Sequence, residues 1–562
     1  MEYHMRRWLS VRNRFVAFII AGIVLAGSAC IVAFRLSDSD YFFKINKSID
    51  IFGRVYKEVS LNYVDDVDPE KFMESGIDGM LSTLDPYTNF ISESEGDEVE
   101  LITTGKYGGI GVTIGLREGN ITVITLMEGY SAQRQGIQPG DHILEIEGKS
   151  VVGAKPEAVR SMTRGEPGTE VRLKVERDGE PKPLDFVLVR EEIQLHNVSY
   201  ADILDDGVGY IRLERFARGA GDELRLAIKD LKLKGPLKGI IVDLRDNPGG
   251  LLDVAVDVVE KFAAKGSLVV STRGRRPESE RKFFVTEEPM LPDIPIVLLV
   301  NRNSASASEI VAGALQDLDR GVILGTRTFG KGLVQTITPL SYNTQLKITT
   351  AKYYTPSGRC IQEIDYMHKN KDGVFAITPD SLRREFKTLK GRKEFESGGI
   401  QPDTLVPEPA RTEVYSDLLR KSMYFKFATR YAAEHKEPPV SFNADTLTSQ
   451  FRRFLHEQKF TFQDEGERKL GELSETAHKL QYSAPVLDEL DKLKKKFEEE
   501  KSKSLDRDKE DIANALKIEI MSRYKGEHGR IETSLASDTQ LKAARSLFKD
   551  PRAYSRLLAA QH

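Results

Sequence analysis

Two short runs constrain this chain more than any other feature. Ile240-Ile-Val-Asp-Leu and Ile296-Val-Leu-Leu-Val are almost continuously apolar and are bounded by turn residues. A strand that is apolar on both faces must be covered on both faces, which is the condition of a buried parallel sheet. A helical pattern follows each run. Residues 191–410 are therefore expected to form an α/β core.

The flanking segments differ in kind. Residues 41–96 carry Ile45, Ile49, Phe52, Val55, Tyr56 and Val59 at helical spacing. Within them Asp68-Pro69-Glu70 is a helix start, with an acid at the cap and Pro in the first turn. Residues 97–190 turn β-rich, with Ile121-Thr-Val-Ile-Thr, Val171-Arg-Leu-Lys-Val and Phe186-Val-Leu-Val punctuated by Gly and Pro. Residues 411–562 are highly charged: 18 of the 24 from Asp488 to Asp511 carry a charge, which makes a solvated helix. Val486, Leu487, Leu490, Leu493 and Phe497 still mark a narrow packing stripe on it, as in a helical accessory or interaction domain. The expected fold class is mixed α/β, in a multidomain chain.

Residues 15–34, FVAFIIAGIVLAGSACIVAF, contain no charge. At 1.5 Å per residue they span roughly 30 Å, one hydrocarbon core. Arg6, Arg7, Arg12 and Arg14 precede them against the single acid Glu2. The positive-inside rule keeps residues 1–14 in the cytoplasm and sends residues 35 onward outside. The expected location is the cytoplasmic (inner) membrane, single pass, with the bulk of the chain periplasmic or otherwise extracytoplasmic. Cleavage as a signal segment, or lipidation at Cys30, is the alternative.

Composition excludes several chemistries. The net charge of −4 offers no field for wholesale nucleic-acid binding. Two cysteines, Cys30 and Cys360, allow neither a disulfide framework nor a cysteine zinc site. No two of the nine histidines have the HExxH spacing. No metal and no cofactor is expected, so any nucleophile has to be activated by the chain itself.

Tyr107-Gly-Gly-Ile-Gly-Val-Thr-Ile sets glycines just before a strand, and Ser131-Ala-Gln-Arg-Gln-Gly-Ile-Gln-Pro-Gly-Asp-His-Ile-Leu-Glu-Ile-Glu-Gly follows. Together they resemble a bacterial-type PDZ domain. Amides at Gly108, Gly109, Ile110 and Gly111 are placed to converge on a peptide carboxylate. The strand beyond Ile110 then offers an edge to an extended peptide. The resemblance implies capture of C-terminal tails.

The densest stretch is Val300-Asn-Arg-Asn-Ser-Ala-Ser-Ala-Ser-Glu-Ile-Val-Ala-Gly-Ala-Leu-Gln-Asp. A buried strand runs into a small-residue turn and an Ala-rich helix, where helix N-terminal amides can hold an oxyanion. Ser304, Ser306 and Ser308 all qualify by position. Gly325-Thr-Arg-Thr-Phe-Gly-Lys-Gly-Leu-Val-Gln holds one lysine and no histidine. Period-2 alternation would put Phe329, Lys331, Leu333 and Gln335 on one strand face. A lysine acts as general base only when neutral. Lowering it from about 10.4 to near 7 costs roughly 4–5 kcal/mol, which burial against Phe329 and Leu333 is expected to supply. Finally, Asp243-Leu-Arg-Asp-Asn-Pro-Gly-Gly ends a strand in a turn whose Gly249 and Gly250 amides offer a second oxyanion donor.

In this order the three motifs resemble the C-terminal processing peptidases, or tail-specific proteases, over roughly residues 41–410. Asn62-Tyr-Val-Asp and Leu84-Asp-Pro-Tyr-Thr also resemble that family's N-terminal helical region. The resemblance implies that Ser306 is the nucleophile, Lys331 the general base, and Gln335 the residue that orients the lysine. It implies oxyanion donors at Ala307 and at Gly249 or Gly250. The expected activity is that of a Ser-Lys serine endopeptidase acting on proteins with apolar C-terminal tails, with self-association or an adaptor protein left open. A catalytically silent PDZ scaffold and an acyl-handling enzyme for small thioesters are the alternatives.

Overall fold

The computed structural model describes residues 41–369 and 375–560. The candidate anchor at 15–34, with its flanking arginines and Cys30, lies outside these residues. Among the described residues no helix is long and apolar enough to cross a membrane.

Residues up to Phe90 form one compact unit and residues from Ile91 a second. In the first, a helix over 41–62 is followed by Pro69–Leu81. The Asp68 side chain caps the second helix by accepting the Glu70 and Lys71 amides, as its Asp-Pro-Glu start predicts. The Tyr56 ring stacks on Phe72 at 5.7 Å, and its hydroxyl donates to the Pro69 carbonyl.

In the second unit, Val112–Arg117, Asn120–Leu126, His142–Ile146, Glu170–Glu176 and Leu184–Val189 form an antiparallel sheet in that order. Burial alternates along Glu170–Glu176, so Val171, Leu173 and Val175 point into the core beside Ile121, Val123 and Ile143. Val112–Arg117 is an edge strand, and the helix Pro156–Thr163 packs near it. This is the segment whose sequence resembles a PDZ domain.

The α/β core is a six-stranded sheet in the order Val198–Ile203, Val208–Leu213, Gly239–Asp243, Ile296–Val300, Val322–Gly325, Thr404–Leu405. Only the first pairing is antiparallel. Ile296–Val300 is buried at every residue, as its unbroken apolar pattern requires. One face is covered by the helices Ala220–Lys234, Leu252–Glu260 and Ala307–Asp317, through side chains such as Leu224, Val258 and Val311.

The other face is closed from far along the chain. Ile531, Leu541, Ala544, Tyr554 and Leu558 pack onto Tyr210, Ile241, Val297, Leu299 and Leu324. The Tyr554 hydroxyl donates to the Ile296 carbonyl and accepts the Ile296 amide, at 3.0 and 2.9 Å. Parts of the charged segment beyond 410 pack in different places. Helices Glu413–Arg420, Met423–Glu434, Ala444–Glu457 and the first half of Lys509–Leu535 share a core of their own around Phe427, Phe451 and Leu516. The helices Thr539–Lys549 and Pro551–Leu557 pack on the six-stranded sheet.

Candidate active site

Three serines compete on the turn after Ile296–Val300, and the structure separates them. Ser304 is fully buried; its hydroxyl donates to the Leu244 carbonyl and accepts the Asn301 amide. Ser308 is fully buried and donates to the Asn247 carbonyl. Both hydroxyls are spent on backbone. Ser306 is half-buried, at the N-cap of Ala307–Asp317, with φ 54° and ψ −111°. A non-glycine residue at positive φ stores strain that the surroundings must hold in place.

Glu309 supplies that hold. It lies one turn into the helix and is fully buried. Its Oε2 accepts the Ser306 amide at 2.8 Å and the Lys331 amide at 2.9 Å. Its Oε1 accepts the Thr328 hydroxyl at 2.6 Å and the Gly330 amide at 2.7 Å. Burial pushes its pKa up to about 7, against the pull of these donors. Tyr353 closes the other side: its hydroxyl donates to the carbonyls of both Ser306 and Lys331. The serine and lysine turns are therefore bracketed from two sides. Glu309 leaves a signal in sequence, because Ser306-x-x-Glu309 has capping-box spacing. Tyr353 comes from the strand Gln345–Tyr354 and leaves no local signal.

The lysine turn differs from the alternating strand expected of it. The strand begins only at Leu333, Gly330 has φ +88°, and a bulge falls between Val334 and Gln335. Each break resets the period-2 pattern, so Phe329, Lys331, Leu333 and Gln335 do not form one regular face. Leu333 is buried, whereas Phe329 is 39% exposed. Gln335 donates from Nε2 to the Thr349 hydroxyl at 3.2 Å on the neighbouring strand.

The turn Asp246–Gly250 runs against Ser306 and Ala307. A methyl group on Gly249 would lie 2.8 Å from the Ala307 nitrogen and 2.9 Å from Ser306 Cβ. With φ +98°, this position requires glycine. The Gly249 amide donates to Asn247 Oδ1 at 2.9 Å. Asn247 fixes the loop further. Its Nδ2 donates to the Leu213 carbonyl, and its own carbonyl accepts the Ala305 amide and the Ser308 hydroxyl.

In the PDZ-like segment, Gly108 and Gly109 are drawn into pairing of Lys106–Gly109 with Glu191–Gln194. A side chain on Gly108 would strike the Gly165 carbonyl at 2.0 Å. Ile110 and Gly111 stand at the head of the edge strand. Their carbonyls accept the Ala132 and Met127 amides, and Gly111 has φ +78°. Among the described residues no group of His, Cys, Asp and Glu is arranged to hold a metal ion.

A core of this topology, a serine on a strained strand-to-helix turn and an attached PDZ domain together define a serine protease that handles peptide ends. The chain matches Peptidase family S41 over residues 207–380 and a PDZ domain over 98–176. It also matches the activating protease CtpB N-terminal domain over 36–94 and "Probable PDZ-protease, C-terminal helical domain" over 414–548. A carboxy-terminal-processing protease of Bartonella bacilliformis is 39% identical over 65% of this chain and 82% of its own length. The carboxy-terminal processing protease CtpB of Bacillus subtilis is 28% identical over 74% of this chain and 87% of its own. A solved photosystem II D1 C-terminal processing protease covers 63% of this chain and 92% of its own, at 26% identity and a TM-score of 0.33. The chain belongs to peptidase family S41, among its carboxy-terminal processing serine proteases.

Proposed function

We propose that this protease cuts protein tails with a Ser306–Lys331 dyad, outside the cytoplasmic membrane, to which residues 15–34 tether it. The observation that carries the reading is the shared carboxylate of Glu309, which ties the backbones of Ser306 and Lys331 together. Two neighbouring serines have their hydroxyls bound to backbone, so Ser306 is the one suited to attack.

A substrate tail adds to the edge strand Val112–Arg117, with its carboxylate at the Ile110 and Gly111 amides. Neutral Lys331 takes the proton from Ser306 Oγ, and Oγ bonds to the scissile carbonyl carbon. The negative oxygen rests on the amides of Ala307 and Gly250. The tetrahedral intermediate collapses as Lys331 returns the proton to the leaving amine. Water then adds to the acyl-enzyme, with Lys331 again as base, and frees the new C-terminus. Gln335 orients the lysine.

The test uses a reporter protein with an apolar C-terminus. Ser306→Ala and Lys331→Ala are expected to stop cleavage without loss of fold, and Lys331→Arg to fail as well because Arg stays charged. Full turnover by any of the three would overturn the dyad. For the location, spheroplasts treated with an added protease should lose the catalytic region; protection of that region would refute it.

A further inference from the structure

The site as described leaves out the C-terminal helices, yet one of them reaches its most sensitive turn. Arg245 lies between the strand Gly239–Asp243 and the oxyanion glycines. Its Nη2 donates to Asp538 Oδ2 at 2.6 Å and its Nη1 to Gln540 Oε1 at 2.9 Å. On the other side, its Nε meets Asp243 Oδ1 at 2.9 Å, and Asp243 also takes the Tyr210 hydroxyl at 2.7 Å. Asp243 is fully buried and the Arg245 side chain is 13% exposed. A charge held this far from water is strongly localised by its partners.

Asp538 divides its two oxygens between two tasks. Oδ1 caps the helix Thr539–Lys549 by accepting the Leu541 amide at 2.9 Å, while Oδ2 holds Arg245. Gln540 is likewise double-ended. Its Nε2 donates to the Val406 carbonyl at 2.7 Å, and the Val406 amide donates to Gly325, where the lysine turn departs. The start of one C-terminal helix thus joins the turn that carries Gly250 to the strand end that leads to Lys331.

We propose that Asp538 and Gln540 are positioning residues of the active site: they set the oxyanion turn through Arg245 and hold it in register with the lysine turn. This rests on the Ser306–Lys331 reading. The consequence is specific. Loosening this link should weaken binding of the oxyanion while leaving tail capture intact.

The experiment measures kcat and KM on the full chain with a peptide substrate bearing an apolar C-terminal tail. Reactive sites are counted by titration with a serine-directed fluorophosphonate. Asp538→Asn keeps an N-cap side chain but removes the charge facing Arg245. Gln540→Met keeps the volume but removes both hydrogen bonds. Each is expected to lower kcat per titrated site about tenfold, with KM within about twofold of wild type, and to weaken a peptide boronate in proportion to kcat/KM. A purely structural role would reduce the number of titrated sites and the melting temperature but not kcat per site. That result, or kcat per site within twofold of wild type in both variants, overturns the proposal. Ser306→Ala runs alongside: activity there would refute the nucleophile and not the link.

Discussion

Ser306 and Lys331 donate their backbone N–H groups to the same oxygen of Glu309, at 2.8 and 2.9 Å. One buried carboxylate therefore sets the separation of two turns that are 25 residues apart in the chain. The other oxygen, on Thr328 and Gly330, stops the carboxylate from rotating away.

Glu309→Gln tests that arrangement. An amide has one acceptor oxygen, so two of the four donors would face an NH₂ group. At about 1–3 kcal/mol for each orphaned buried donor, the loss of stability should be about 2–6 kcal/mol. Cleavage should fall at least about a hundredfold, because the serine and lysine turns drift apart. Calorimetry and a peptide-cleavage assay read the two effects. A stable, fully active Gln variant would show that the shared carboxylate does not set the site.

The same group has a pH signature. Its pKa is raised from 4.5 to about 7 in the fold, and Glu394 is raised to about 7 by burial as well. A carboxyl raised on folding binds its proton more tightly in the native state. The stability it contributes is complete below pH 4.5 and is lost as the pH rises through about 7. Glu309→Gln should flatten the fall in melting temperature between pH 4.5 and 7, leaving the Glu394 share. Parallel melting profiles for wild type and variant would contradict this.

Tyr353→Phe removes the hydroxyl that joins the Ser306 and Lys331 carbonyls. The ring stays, so stability should fall by only about 1 kcal/mol. Turnover should drop about tenfold with little change in KM, since the alignment of the two turns suffers and the tail site does not. Unchanged kcat would assign the hydroxyl to packing alone.

Gly111→Ala separates tail capture from chemistry. The new methyl would lie 2.5 Å from Tyr130 Cβ at a residue with φ +78°. The head of the edge strand should distort, raising KM for a tailed protein severalfold, whereas a short activated ester should turn over as in wild type. Equal losses on both substrates would mean that the PDZ domain acts on the protease core rather than on the tail.

The apolar runs announced the central strands, because burial on both faces leaves a dense local signal. The residues alone marked Ser306 as one of three serines on a strand-to-helix turn, and only the family resemblance singled it out. The physical contrast lies in the carbonyls of Leu244 and Asn247, about sixty residues earlier, which bind Ser304 and Ser308. The strand face proposed for Phe329 to Gln335 failed on two local events, a positive φ at Gly330 and a bulge, neither of which alters an alternating pattern. Tyr353 was invisible, since it meets the site only when its strand pairs. The C-terminal helices show the general limit: amphipathic spacing tells that one face is covered, not what covers it.

The hydroxyl of Tyr554 on both polar groups of Ile296 has a consequence for how the molecule comes into being. Synthesis runs from the N-terminus, so the serine, the lysine and every strand of the sheet exist before the helices that cover its second face. Until those helices arrive, Val297, Leu299 and Leu324 have no lid. The growing chain therefore carries Ser306 and Lys331 before the helices that cover the second face of their sheet have been made.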